Sequence, residues 1–278
     1  MAVGYNSLLA TTTGHNNTGI GRAAMQTNTT GIRNIATGNY ALYANTTGNY
    51  NTSSGYYNMM DNTTGSFNVS LGYRALESNT TAHCNTAIGA CSLFSNTTGA
   101  GLVGVGFRAL QANTTGSSNT ASGFYALATN TTGTLNVATG FKALFSNTTG
   151  NCNAAHGACT LYDNTTGCFN VAVGDSALSN NTTANYNTAV GAFTLLSNTT
   201  GTQNTASGFG SMKLTTTGNQ NTASGYYALR ENTTGGYNTG IGREALKLTT
   251  TGAHNTGIGR NALMSNTTAN YNTAVGAA

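Results

Sequence analysis

The feature that most restricts this chain is a glycine that returns every seventeen residues without an insertion or deletion, from Gly4, Gly21 and Gly38 to Gly259 and Gly276. A fixed period of this size marks a repeat architecture, in which each unit buries its apolar side only by stacking on its neighbours. The average unit reads N-T-A-V-G-Y-x-A-L-x-x-N-T-T-G-x-x. Seventeen residues are too few for a helical-hairpin repeat of about 34 residues or a propeller blade of about 40. They suit one coil of a parallel stack. The expected fold is all-β, a parallel β-solenoid (β-roll) of sixteen 17-residue coils, running uninterrupted over residues 1–278 with no recognisable caps, anchor or chaperone domain. At about 4.8 Å per coil such a stack measures on the order of 75–80 Å and is held by nearest-neighbour contacts. The N-T-A-V-G segment is expected to form a strand and x-A-L-x-x a second strand or a helical turn. N-T-T-G then makes the corner, where glycine supplies a positive φ.

Because the chain is its own alignment, each position can be read for what it admits. Four residues after the glycine only Leu or Met occurs, as at Leu42, Leu76, Leu93, Leu110, Leu127, Leu144, Leu161, Leu178, Leu195, Leu229, Leu246 and Leu263. A position closed to polar and β-branched types is a core position, and each such side chain contributes about 1.5–3 kcal/mol on leaving water. Two residues before the glycine only Ala, Gly or Ser is found, so something packs closely there. Four residues before it stands Asn, as at Asn51, Asn68, Asn85, Asn119, Asn136, Asn153, Asn170 and Asn187, with Leu102 the exception. Stacked coils place these amides at the strand spacing, where they can bond in a ladder. The next residue alternates between Thr and Val or Ile in the first eight coils.

Directly before the glycine the residue types are mixed: Ile20, Leu71, Ile88, Val105, His156, Val173, Val190, Ile241 and Ile258 alternate with Thr and Ser. With the small residue inside the coil, this neighbour points outward. Large aliphatic and small polar residues in one outward file suit a seam between chains, where apolar layers seal the contact and polar layers set the register.

Composition narrows the function. Gly (37), Thr (53) and Asn (39) dominate, while charged residues are only 6%. Acid–base catalysis draws on His, Asp, Glu and Lys, so an enzyme is not expected, nor is a cofactor or a metal. A net charge of +4 without a basic run gives no footprint for nucleic acid, and no apolar run reaches the length of a membrane span. The N-terminal MAVGYNSLLATTTG lacks the pattern of a secretory signal. Thirteen Asn-Thr-Thr corners match the N-glycosylation pattern, which follows here from turn chemistry.

The strand segments Asn170-Val-Ala-Val-Gly174, Asn68-Val-Ser-Leu-Gly72 and Asn85-Thr-Ala-Ile-Gly89 resemble the SVAIG strand of trimeric autotransporter adhesin heads, which are β-rolls wound from three chains. The whole unit is similar to repeats in long fibre-like proteins of bacteria, phages and large viruses, and the resemblance covers essentially all 278 residues. The adhesin heads use a shorter unit, and here Thr often stands where they have Val. The resemblance implies a homotrimer and a structural fibre or adhesin segment at a cell surface or virion, outside the cell, with a surface glycan or receptor as its other partner. An alternative is a filament growing head to tail, because Ala2-Val3-Gly4 and Thr273-Ala274-Val275-Gly276 repeat one strand without a polar cap. An ice-binding solenoid needs an uninterrupted outward Thr file, against which the alternation argues.

Two further features call for a reading. Cys84 and Cys91 occupy the same unit positions as Cys152 and Cys159, which raises a disulfide within each pair against the plainer reading of two small apolar residues. Tyr and Phe gather just after the glycine, as at Tyr56, Tyr73, Phe107 and Phe124, where they either pack between coils or offer rings to a glycan.

Overall fold

In the computed structural model, which describes residues 1–277, the chain is all-β, with seventeen short parallel strands, one for each appearance of the repeat. It divides into two compact units, Met1–Asn136 and Val137–Ala278. The first contains β1 (Ala2–Val3), β2 (Thr18–Ile20), β3 (Ile35–Thr37), β4 (Thr52–Ser54), β5 (Val69–Leu71), β6 (Thr86–Ile88), β7 (Val103–Val105) and β8 (Thr120–Ser122). The second contains β9 (Val137–Thr139), β10 (Ala154–His156), β11 (Val171–Val173), β12 (Thr188–Val190), β13 (Thr205–Ser207), β14 (Thr222–Ser224), β15 (Thr239–Ile241), β16 (Thr256–Ile258) and β17 (Thr273–Val275). Within each unit every strand pairs with its counterpart seventeen residues on, for example Val69↔Thr86 and Leu71↔Ile88. Each unit is thus a β-solenoid.

One strand per coil is all there is. The x-A-L-x-x segment forms neither a second strand nor a helical turn but a series of turns, because residues two and four after the glycine both take left-handed backbone conformations. Tyr40 (φ 57°) and Leu42 (φ 53°) are examples, and a third such residue stands just before the strand Asn, as at Tyr50 (φ 57°). Bulky residues rarely adopt this region. Here it sets the direction of the amides: Tyr40 donates to Arg22 O in the coil behind (2.9 Å) and Leu42 to Asn58 O in the coil ahead (3.0 Å). Outside the strand, each coil is therefore bonded to the coils on both sides.

The invariant glycine has a different reason for its place. Gly38 sits at φ +130°, and a Cβ there would lie 2.3 Å from Gly55 O in the next coil. Both the conformation and the close approach exclude a side chain. The corner glycine does not supply a positive φ, contrary to the expectation from sequence. At Gly48 what matters is room, since a Cβ would meet Asn45 Oδ1 and Gly65 O at 2.4 Å. Ala82 and Ala184 stand at the same position and are buried, so small adjustments accommodate a methyl group.

The interior is a file of Leu and Met, two files of small residues and two files of amides. From Met25 to Leu246 every member of the Leu/Met file has zero exposure, including Leu42, Leu76, Leu93, Leu110 and Leu127 in the first unit. Leu144, Leu161, Leu178, Leu195 and Leu229 do the same in the second. Leu263 departs from the expected burial and is only half-buried.

The amides divide the work differently from the expected ladder. The strand Asn mainly brackets backbone: Asn51 donates Nδ2 to Gly65 O (2.8 Å), and its Oδ1 accepts the Asn68 amide (3.0 Å). Asn68, Asn85, Asn119 and Asn136 in the first unit and Asn153, Asn170 and Asn187 in the second are equally buried. The amide-to-amide ladder belongs chiefly to the corner Asn, where Asn45 donates to Asn28 Oδ1 (2.7 Å), Asn62 to Asn45 (2.9 Å) and Asn79 to Asn62 (2.7 Å). Beside it runs a hydroxyl ladder, with Thr29 Oγ1 donating to Thr46 O (3.0 Å) and Thr46 to Thr63 O (3.1 Å). The corner Asn side chains that match the glycosylation pattern, such as Asn28, Asn45 and Asn62, are committed to this buried ladder.

Candidate interaction surface

In the three-residue strands β2 to β16 the middle residue is buried in the core and the outer two face outward, giving two outward files per unit. β5 presents Val69 (43% exposed) and Leu71 (51%), and β6 and β7 extend the patch with Ile88, Val103 and Val105. In the second unit Val171, Val173, Val190, Ile241 and Ile258 are exposed in the same way. Ile20 is half-buried and His156 exposed. The seam residues chosen from sequence therefore do lie on an outward face. In each unit the first outward file, with Ile35, Val69 and Val103 in the first and Val171 in the second, lies beside the chosen one on that unit's strand face and was not included. Its signal was present in the sequence as β-branched residues two positions before the chosen file.

Charge avoids this face. No strand residue is Lys, Arg, Asp or Glu, and the only ionisable side chain in any strand is that of His156. Every charged residue except Arg33 follows the repeat glycine by one to six residues. There the cations lie over rings: Arg108 near Phe107 and Tyr125, Lys142 near Phe141, Arg230 near Tyr227. Arg74 also bonds Glu77 (Nη2···Oε1 2.9 Å), and that hydrogen bond raises the guanidinium above its ordinary value. Segregation on this scale separates a solvated flank from a surface suited to contact.

The Thr file also differs from expectation. In the first unit Thr alternates with Ile or Val, but from β12 to β17 the first outward position is Thr188, Thr205, Thr222, Thr239, Thr256 and Thr273, paired in register. The neighbouring outward file there reads Val190, Ser207, Ser224, Ile241, Ile258 and Val275.

Aromatic residues border the strands on both sides. Before the strand, Tyr50 stacks on Phe67 (4.9 Å, 6°) and Phe169 on Tyr186 (5.2 Å, 5°), while His254 lies between Tyr237 and Tyr271. After it, Phe107 stacks on Phe124 (5.2 Å) and Tyr56 on Tyr73 (6.1 Å). Rings stacked on one another along the coil axis present edges outward and spend their faces internally. This favours packing between coils over a sugar platform, which requires an open ring face.

Cys84, Cys91, Cys152, Cys159 and Cys168 are all free thiols, so of the two readings weighed for the paired cysteines the disulfide is not the one formed. Cys84 precedes β6 and Cys91 follows it, and a three-residue strand spans about 10 Å, beyond the reach of a disulfide. Cys152 and Cys159 flank β10 in the same manner. Among the described residues, no three His, Cys, Asp or Glu side chains gather as a metal site, and no helix is long and apolar enough to cross a membrane. Compared with family models, curated proteins and solved structures, the chain matches none.

Proposed function

We propose that this chain is a structural segment of an extracellular fibre or adhesin, at a cell surface or on a virion, and that it associates with copies of itself through the strand face as a homotrimer. The observation that carries the reading is the segregation of charge. Exposed Val, Leu and Ile occupy strand positions without a single Lys, Arg, Asp or Glu, while all the charged residues but Arg33 are grouped on the flank after the repeat glycine. Such a face loses little on leaving water, and apolar burial at about 25 cal/mol per Å² drives association. Sedimentation velocity on the purified full chain is expected to give the mass of three chains. A single-chain mass at every concentration overturns it.

A second reading rests on the six in-register Thr from Thr188 to Thr273. Their hydroxyls and methyls repeat at about 4.8 Å along the coils on an uncharged face, a regular array suited to ordering water as ice does. This reading requires the face to be free. Thermal hysteresis by the single-chain species supports it, and none at millimolar protein removes it.

A further inference from the structure

We infer that His156 makes the association of the strand face sensitive to acid. The inference rests on the proposed self-association and adds its regulation. His156 ends β10 with its side chain outward, in register with Thr139 of β9 and Val173 of β11. Neither of those strands brings an ionisable group to it, and the rest of β10 is Ala154 and Ala155. Along the chain the nearest ionisable groups are Cys152 and Cys159, on the two flanks of the strand; the coil ahead, whose Gly174 amide bonds His156 O (2.8 Å), carries Asp175 just past that glycine, and the coil behind carries Lys142 past Gly140, so one charge of each sign stands on the flank and neither lies in a strand. The other three histidines lie outside the strands: His15 and His83 beyond the corner, and His254 between two Tyr rings.

Histidine is the side chain whose charge ordinarily changes between pH 5 and 8. Neutral, its imidazole is a flat, weakly polar group that can be covered by a neighbouring copy. Charged, it must either keep its water or be buried without a counter-ion, and burial disfavours the charged form. Three copies in a symmetric assembly also bring three imidazoles to one level, where like charges add to the penalty. The free chain therefore binds more protons than the assembled one, and linkage requires acid to favour the free chain. Each histidine that must stay neutral contributes up to about tenfold per pH unit once imidazoles begin to protonate, so three act together with up to about a thousandfold.

The test measures the association of the full chain at pH 7.5 and pH 5.5 by sedimentation velocity, with circular dichroism to follow the fold. The expected result is an oligomer at pH 7.5 that dissociates at pH 5.5 with its fold unchanged, and a His156→Val variant that stays associated at both. Val already fills this file at Val173 and Val190, so the variant keeps the coil. Association of the unaltered chain that is equal at both pH values, or stronger in acid, overturns the switch while leaving the strand-face reading intact. A His156→Val variant that still dissociates in acid assigns the effect to another group and also overturns it. Failure to associate at either pH overturns the strand-face reading and the switch with it.

Discussion

Thr215 interrupts a file of buried amides, and the interruption is visible on both sides. Asn198 Oδ1, which would receive the amide of a corner Asn in the next coil, is buried without a partner, and Thr215 Oγ1 is in the same condition. One coil further, Asn232 retains only its bond to Gly235 O (2.9 Å). At Thr249 the pattern repeats, leaving Asn232 Oδ1 and Thr249 Oγ1 unpaired. Leaving a buried polar atom unpaired costs about 1–3 kcal/mol. Thr215→Asn is expected to close the ladder and stabilise the chain by about 1–2 kcal/mol, read as a higher melting temperature. No change or a fall in melting temperature would show that the corner tolerates the gap. A second buried cluster shows residues matched to one another. Asn58 stands where most coils have Ala, and the only two Ser in the small-residue file, Ser53 and Ser70, both bond its Oδ1 (2.6 Å from Ser53 Oγ). Asn58→Ala is expected to cost about 1–3 kcal/mol by stranding Ser70, and adding Ser70→Ala should recover part of that loss. Additive losses in the double variant, measured by denaturant unfolding, would show that the pair is not coupled.

At the scale of the coil, two glycines with similar crowding have different reasons to be glycine, and substitution separates them. Gly38→Ala meets both a forbidden conformation and a backbone carbonyl at 2.3 Å and is expected to cost about 3–5 kcal/mol. Gly48→Ala meets the Asn45 side chain and a carbonyl at 2.4 Å without a positive φ, and Ala82 shows that a coil adjusts to this, so about 1–3 kcal/mol is expected. Equal losses in a thermal-unfolding comparison would contradict this assignment. The contrast also shows what the sequence made legible. The period and the Leu file could be read because each is a restriction on residue type repeated through the coils, and the outward file because it stands next to the small-residue file and mixes large aliphatic with small polar types. The left-handed positions could not, since Tyr40, Arg74, Leu42 and Cys84 share no residue type, and glycine takes such a position only at Gly101 and Gly210. Their conformation comes from bonds to two neighbouring coils, which no single unit displays. The amide ladder was expected at the strand Asn because that position sits beside a strand. It belongs mainly to the corner, where Asn had already been given a sufficient reason by turn chemistry.

At the scale of the whole molecule, the informative quantity is where the few charges are placed. An evenly solvated surface would scatter its Lys, Arg, Asp and Glu, yet none occurs in any strand. Adding charge to the strand face should therefore act on association and leave the fold largely alone. Leu71 (51% exposed) and Ile88 (38% exposed) are neighbours on β5 and β6, and neither side chain reaches the core. Surface substitutions of this kind usually change stability by no more than about 0.5 kcal/mol. Leu71→Glu combined with Ile88→Glu sets two carboxylates side by side, so a further few tenths of loss is expected from their repulsion. In an assembly that covers this face, the same carboxylates would have to leave water without partners, which costs several kcal/mol per ion. The expected outcome is a chain that melts within a few degrees of the unaltered one and sediments as a single copy at pH 7.5. A comparison variant, Arg243→Glu, places its charge on the flank that is already charged and should associate as before. If the Leu71 and Ile88 variant still assembles, the copies meet elsewhere, and the apolar strand face requires a different partner.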